Sequence, residues 1–289
     1  FNCDYQKILD WSIKKSPNFW DNIWDFCNIS GIKGKKKIIK SKVFYKNNFL
    51  SDYKLNFTEN LLSKNNNSKA ITFISENGFK KIKTWKNLND DTSRLIQLFK
   101  KLKIRTKDRI VGYMPNTIES VEGFLATSAI GAIWSSCSPD FGIKGVIERF
   151  SQINPKVLIA TDRYYYNGKE INILERIPEL LKKIKSIKYV IICSYPGKKY
   201  LNNNLKINNV QFLNWQEKNE FLKKKIKYKK FNFNHELAIL YSSGTTGKPK
   251  CICHRSGGTL IQHLKEHQLH CDIKENDNIF YFTTCGWMM

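Results

Sequence analysis

The sequence is short of several things, and each shortage narrows the options. Arginine is scarce, with 7 Arg beside 42 Lys among 289 residues. The planar, fork-shaped guanidinium that reads bases and grips phosphates bidentately is therefore nearly missing. Acidic residues number only 25, which leaves a net charge of +24. That excess is spread out: residues 1–110 carry +14 and residues 111–289 carry +10. Lys and Asn together make up 71 positions, a compositional bias and not a shaped nucleic-acid face. Runs such as Lys35–Lys37 and Lys223–Lys225 read as solvated charge, so no specific nucleic-acid partner is expected, although the excess favours small anions such as phosphates. No uninterrupted apolar run reaches the roughly 18 residues of a membrane-spanning helix. The most apolar stretch, Gly123 to Cys137, is shorter and carries Ser and Thr. No membrane partner is expected.

Metal-site spacing is also lacking. The eight cysteines, at 3, 27, 137, 193, 251, 253, 271 and 285, contain no Cys-x-x-Cys pair, and no secretory leader is expected. A reducing, cytoplasmic setting is the expectation. Cys251-Ile252-Cys253-His254 has no second cluster to complete a site, and alternation along a strand explains it as well. His263, His267 and His270 share a helix face without an arranged carboxylate or thiolate. No protein metal site is expected. The chain starts at Phe1 and ends at Met289 on an apolar run, and both ends read as cut from something longer.

What is present supports a substantial core: 41% hydrophobic and 13% aromatic residues, enough for one large or two ordinary domains. Residues 5–28 read as two helices around Pro17, and 31–45 as a basic irregular connection. Asn56–Leu62 reads as a short helix. A hairpin is expected at 70–84, turning at Asn77-Gly78. From Thr84 the pattern alternates. Helices are expected at 84–103, 117–132, 143–153, 171–184 and 257–270. Strands are expected at 108–114, 133–137, 157–160, 189–193, 210–213, 237–241 and 278–282. Strands alternating with helices across short links specify an α/β fold with a parallel sheet. The division that follows is a helical N-terminal segment, 1–64, and an α/β domain, 65–289.

The sharpest local feature is Tyr241-Ser242-Ser243-Gly244-Thr245-Thr246-Gly247-Lys248-Pro249-Lys250, which follows an apolar strand. Glycines let a backbone approach a ligand, hydroxyls donate to phosphate oxygens, and two lysines add positive charge. A Walker A loop is excluded, because Pro249 stands where Ser or Thr is required and the glycine spacing is too short.

Residues 242–250 resemble the SSGTTGxPK signature of the adenylate-forming superfamily, which includes acyl-CoA synthetases, peptide-synthetase adenylation domains and luciferases. Further segments are similar to the short-chain acyl-CoA synthetases. These are Trp11-Ser12-Ile13, Phe19-Trp20 with Ile23–Phe26, Leu55–Leu62, Arg149-Phe150, Pro155–Ile159, Tyr166–Lys169 and Thr283–Met289. Gly131–Gly142 resembles the acetoacetate-activating members and argues against acetate. The likeness spans essentially the whole chain.

The resemblance implies parallel-sheet subdomains of the large N-terminal adenylate-forming domain, and ligation of acetoacetate to coenzyme A with ATP and Mg2+ through an acyl-adenylate. It implies that Ser242, Ser243, Gly244, Thr245, Thr246, Gly247 and Lys248 hold the ATP phosphates. Lys250, with Thr245 and Thr246, would act on the departing pyrophosphate. Gly286, Trp287, Met288 and Met289 would line the acid pocket, and Lys169 would meet coenzyme A where relatives carry Arg. His254 matches a frequent family histidine, or is an ordinary partly exposed one. Other motifs of the superfamily belong further along, so these 289 residues alone are expected to have negligible ligase activity. Ligases for butyrate, propionate or acetate, and a non-catalytic nucleotide-binding module, are the alternatives.

Overall fold

A computed structural model describes residues 4–39, 41–43, 46–201, 205–242 and 247–288. The chain forms two compact units. The first comprises residues 1–60, 228–236 and 254–281, and the second comprises 61–227, 237–253 and 282–289.

The first unit begins with the two expected helices, α1 (Tyr5–Lys14) and α2 (Ser16–Phe26). The Asp4 carboxylate accepts from the Lys7 amide and caps α1. Pro17 sits in the first turn of α2, where a missing N–H costs nothing. Residues 31–45 are less irregular than their composition suggests. They contain β1 (Gly31–Ile32) and β2 (Ile38–Ile39), too short to leave a sequence pattern. β2 pairs with β3 (Asn48–Phe49), and β1 pairs with β4 (Lys54–Leu55), which also pairs with Phe231–Asn232. Then follows α3 (Phe57–Leu61). Trp24 is buried edge-to-face on Tyr53, with ring centroids 5.3 Å apart. The Tyr53 hydroxyl donates to Asp21 at 2.6 Å, and Lys33 and Lys37 reach the same carboxylate at 2.9 and 3.0 Å.

The second unit opens with the hairpin β5 (Lys69–Ile74) and β6 (Lys80–Thr84). The Thr84 hydroxyl accepts from the Asn87 amide and starts α4 (Trp85–Lys101). Strands and helices then alternate: β7 (Arg109–Tyr113), α5 (Ile118–Ala129), β8 (Ile133–Cys137), α6 (Ile143–Phe150) and β9 (Val157–Thr161). Here the expected helix at 171–184 is corrected. Residues 163–172 form a hairpin, β10 (Arg163–Tyr166) and β11 (Lys169–Asn172), and the helix α7 (Ile177–Lys183) starts later. The cause is Asn167-Gly168, with φ +50° and +74°, the turn conformation that Asn-Gly supplies cheaply.

Next come β12 (Tyr189–Cys193) and β13 (Gln211–Asn214), then β14 (Phe231–Asn232), which belongs to the first unit, β15 (Glu236–Ser242), β16 (Lys250–Arg255) and α8 (Ser256–Lys265), which is again part of the first unit. Cys251 and Cys253 lie on β16, as strand alternation explains. The expected final strand at 278–282 is not formed. Phe280 and Phe282 are 86% and 93% exposed. A β-rich composition favours extended backbone, but a ladder also needs a neighbour, and among the described residues no strand pairs with this run.

The main sheet has the order β13-β12-β9-β7-β8-β15-β16, and its ladders from β13 to β15 are parallel. Its central strands are buried along their whole length, as in a sheet covered on both faces. Val111, Leu158 and Val190 face α6 and α7 through Val146, Phe150, Ile177 and Leu180. On the other face, α5 crosses so closely that a side chain at Gly123 would meet Trp134 and Ile159. The α/β class, the parallel sheet and the helical start are those read from the sequence. A buried ion cluster ties β6, α4, α5 and the turn at 215–220 together. Lys218 and Lys83 each reach Glu122 at 2.7 Å, and Lys83 also pairs with Asp91. Among the described residues no helix is long and apolar enough to cross a membrane.

Candidate active site

β15 delivers the phosphate-loop sequence. Leu237, Ala238 and Tyr241 are buried, and Ala238 pairs with Trp134 of β8. The Ser135 hydroxyl donates to the Ile239 carbonyl at 2.6 Å, which pins the strand just before its end. Burial pushes the Tyr241 hydroxyl well above the usual tyrosine range, with hydrogen bonding to Ser135 opposing it. Tyr241 is thus a buried, neutral phenol at the end of β15.

Ser242 ends the strand half-buried. Ser243, Gly244, Thr245 and Thr246 lie outside the described residues. At the loop's exit Gly247 has φ +108° and open space where a side chain would stand. Lys248 and Lys250 are exposed on either side of Pro249, which is buried and whose carbonyl accepts from Gln152 at 3.0 Å. The exit is therefore anchored at one residue and carries two solvent-facing ammonium groups. Open glycine backbone, a hydroxyl and two cations suit a polyanion such as the ATP phosphates.

Arg149 lies beside this strand, 4.2 Å from the Phe141 ring centroid and 5.9 Å from that of Tyr241. It joins the loop after β8 to the root of the phosphate loop. That loop is itself held by Arg176, which donates to the Tyr113 hydroxyl at 2.7 Å and to the Pro139 carbonyl at 3.0 Å.

The segment expected to line the acid pocket runs beside β8. A side chain at Gly286 would stand 2.6 Å from the Ser136 carbonyl oxygen, so only glycine fits. Met288 is half-buried and Trp287 is 61% exposed, while Met289 lies outside the described residues. Of the expected lining, the Gly286 backbone is the part seated against the sheet. Lys169 opens β11 at the hairpin tip and is exposed. The Glu76 carboxylate accepts from the Gly168 amide at 2.5 Å and fixes that tip. His254 is half-buried, and burial lowers its pKa. Among the described residues no three His, Cys, Asp or Glu side chains are grouped to hold a metal ion.

Sequence reading missed Asn116, whose side-chain amide bonds the Thr283 carbonyl and the Cys285 N–H, Ser136, whose hydroxyl donates to the Cys285 carbonyl, and Glu76. Pro115-Asn116 reads only as the end of a strand, and a residue that works by bonding distant backbone leaves no local signal.

Residues 59–289 match the AMP-binding enzyme family, and the chain belongs to that family. More particularly, it is 39% identical over 287 residues to the acetoacetyl-coenzyme A synthetase of Rhizobium meliloti (strain 1021), covering 99% of this chain and 44% of that protein. It is 39% identical over 299 residues to the acetoacetyl-CoA synthetase of Xenopus tropicalis, with the same coverage. Its fold is similar to that of the acetoacetyl-CoA synthetase from Streptomyces lividans, with TM-score 0.87 at 30% identity over 98% of this chain and 43% of that one. The chain thus spans less than half the length of the relatives it matches.

Proposed function

We propose that these residues are the N-terminal part of an acetoacetate–CoA ligase. ATP, acetoacetate and CoA would give AMP, pyrophosphate and acetoacetyl-CoA by way of an acyl-adenylate. The observation that carries this reading is likeness to acetoacetyl-CoA synthetases along 99% of the chain, with the signature Ser242–Lys250 complete. On this reading residues 1–64 are a helical N-terminal segment and 65–289 are part of the AMP-binding domain.

The acid's carboxylate attacks the α-phosphorus and pyrophosphate leaves. The CoA thiol then attacks the acyl carbon and AMP leaves. Negative charge moves in both steps, so donors and cations fixed beforehand lower the barrier most. Ser242, Ser243, Gly244, Thr245, Thr246, Gly247 and Lys248 hold the phosphates. Lys250, aided by Thr245 and Thr246, balances the charge on departing pyrophosphate. Gly286, Trp287, Met288 and Met289 meet the four-carbon acid, and Lys169 meets coenzyme A. Magnesium would screen the phosphate charge; the described residues offer it no three-ligand cluster, and none is assigned. The enzyme works in the cytoplasm without a membrane or specific nucleic-acid partner.

The test is acid-dependent ATP–pyrophosphate exchange in the whole protein that carries these residues. Exchange with acetoacetate well above that with butyrate or acetate is expected. Preference for another acid would move the substrate and keep the chemistry. No exchange despite ATP binding would replace the reading with a non-catalytic nucleotide-binding module. The 289 residues alone should turn over negligibly.

A further inference from the structure

The segment 283–286 has no strand or helix of its own, yet three hydrogen bonds from two side chains, Asn116 and Ser136, fix its backbone. The Asn116 amide nitrogen donates to the Thr283 carbonyl at 2.6 Å, and its amide oxygen accepts from the Cys285 N–H at 2.8 Å. One side-chain amide therefore pairs with this segment as a neighbouring strand's peptide group would. The Cys285 thiol also donates to the Asn116 oxygen at 2.8 Å and lies 3.2 Å from the Ser120 hydroxyl. The Ser136 hydroxyl donates to the Cys285 carbonyl at 2.8 Å. Asn116 and Ser120 flank the start of α5, and Ser136 is on β8, so the segment is bonded to the rigid body of the sheet. Asn116, Ser120 and Cys285 also line a cavity of about 290 Å³ with Ile71, Phe73 and Val121.

We infer that Asn116 is a positioning residue for acid recognition: its side-chain amide, backed by Ser136, sets the backbone that presents Gly286, Trp287 and Met288 to the acid. This role rests on the ligase reading above. Asn alone offers a donor and an acceptor side by side at this length. Asp keeps the acceptor for Cys285 N–H and loses the donor, while Leu keeps the shape and loses both.

The experiment compares Asn116→Leu, Asn116→Asp and Ser136→Ala in the whole protein by two readouts. Deuterium uptake of a 283–288 peptide reports the clamp without reference to activity. Acid-dependent ATP–pyrophosphate exchange reports the role. The expected result is faster uptake in the order Leu above Asp above wild type, with peptides from β7 and β9 unchanged as the control for folding. Alongside it, KM for acetoacetate should rise about tenfold in Asn116→Leu, the worth of one or two lost hydrogen bonds. KM for ATP should stay within about twofold. Ser136→Ala should shift both readouts in the same direction by less. Unchanged uptake in Asn116→Leu would overturn the clamp. Faster uptake with an unchanged acetoacetate KM, or an equal rise in both KM values, would overturn the positioning role. Wild-type protein that shows no exchange with any acid would overturn the ligase reading and the role with it, and the uptake data would distinguish that from failure of the clamp.

Discussion

Two glycines in the same unit are required for opposite reasons. Gly286 has no room for a side chain, because the Ser136 carbonyl stands 2.6 Å from where a Cβ would sit. Gly247 has open space around it and is demanded by its φ of +108° alone. The first belongs to a segment whose shape is set by packing and hydrogen bonds before any ligand arrives. The second belongs to a loop exit that keeps space and exposed charge for something else to fill. On the ligase reading this division makes sense. A small acid is distinguished from its neighbours by a preset surface, whereas a triphosphate needs room to enter, exposed cations, and glycine backbone that its oxygens can approach closely.

The comparison can be tested from both sides. The largest effect is expected from Lys250→Ala, which should lower pyrophosphate exchange by about 100-fold or more while leaving the melting temperature nearly unchanged, since the residue is exposed and charge stabilisation in the transition state is lost. A Lys250→Arg variant should recover part of the rate. Next is Glu122→Met, which leaves the buried Lys83 and Lys218 ammonium groups sharing the single carboxylate of Asp91 beside α5, the helix that also carries Ser120. Denaturant unfolding should show a loss of about 3 kcal/mol, the lower end for a broken buried ion cluster.

Gly286→Ala should cost about 1–3 kcal/mol of stability through overpacking and raise KM for the acid. Gly247→Ala should cost about 1 kcal/mol through backbone strain and slow the phosphate step without touching acid affinity. If the two glycine variants show the same kinetic signature, the contrast between preset and open segments fails.

The smallest effect lies in the first unit. Burial works to raise the Asp21 pKa, but the Tyr53 hydroxyl and the Lys33 and Lys37 ammonium groups outweigh it and bring it down to about 2. The folded pKa therefore lies below the ordinary value of 3.8. The stability this carboxylate lends is complete above about pH 4 and lost as pH falls toward 2. Asp21→Asn should lower the unfolding midpoint at pH 7, with the difference closing through that window and exchange activity unaffected.

The parallel sheet was legible because its strands are apolar runs separated by amphipathic helices, and buried parallel strands have little other way to read. The same Asn-Gly signal marks both hairpins, at 77–78 and at 167–168. The second was obscured because the β-branched and aliphatic residues after it, Ile171 and Ile173, also suit a helix face. The run 278–282 was misleading for the converse reason: composition records a preference for extension, and pairing depends on what lies alongside. At the candidate site, the loop 242–250 announces itself because phosphate chemistry demands an unusual cluster of small, hydroxylated and basic residues. Asn116 and Ser136 do not, since their partners are backbone atoms 169 and 149 positions away.

The most direct measurement is to withhold CoA from the whole protein, supply ATP, magnesium and acetoacetate, and analyse the quenched mixture by mass spectrometry before and after CoA is added. Acetoacetyl-adenylate and pyrophosphate are expected in the first sample, then acetoacetyl-CoA and AMP in the second. ADP and phosphate in place of AMP and pyrophosphate, or acyl-CoA formed with no adenylate preceding it, would contradict it.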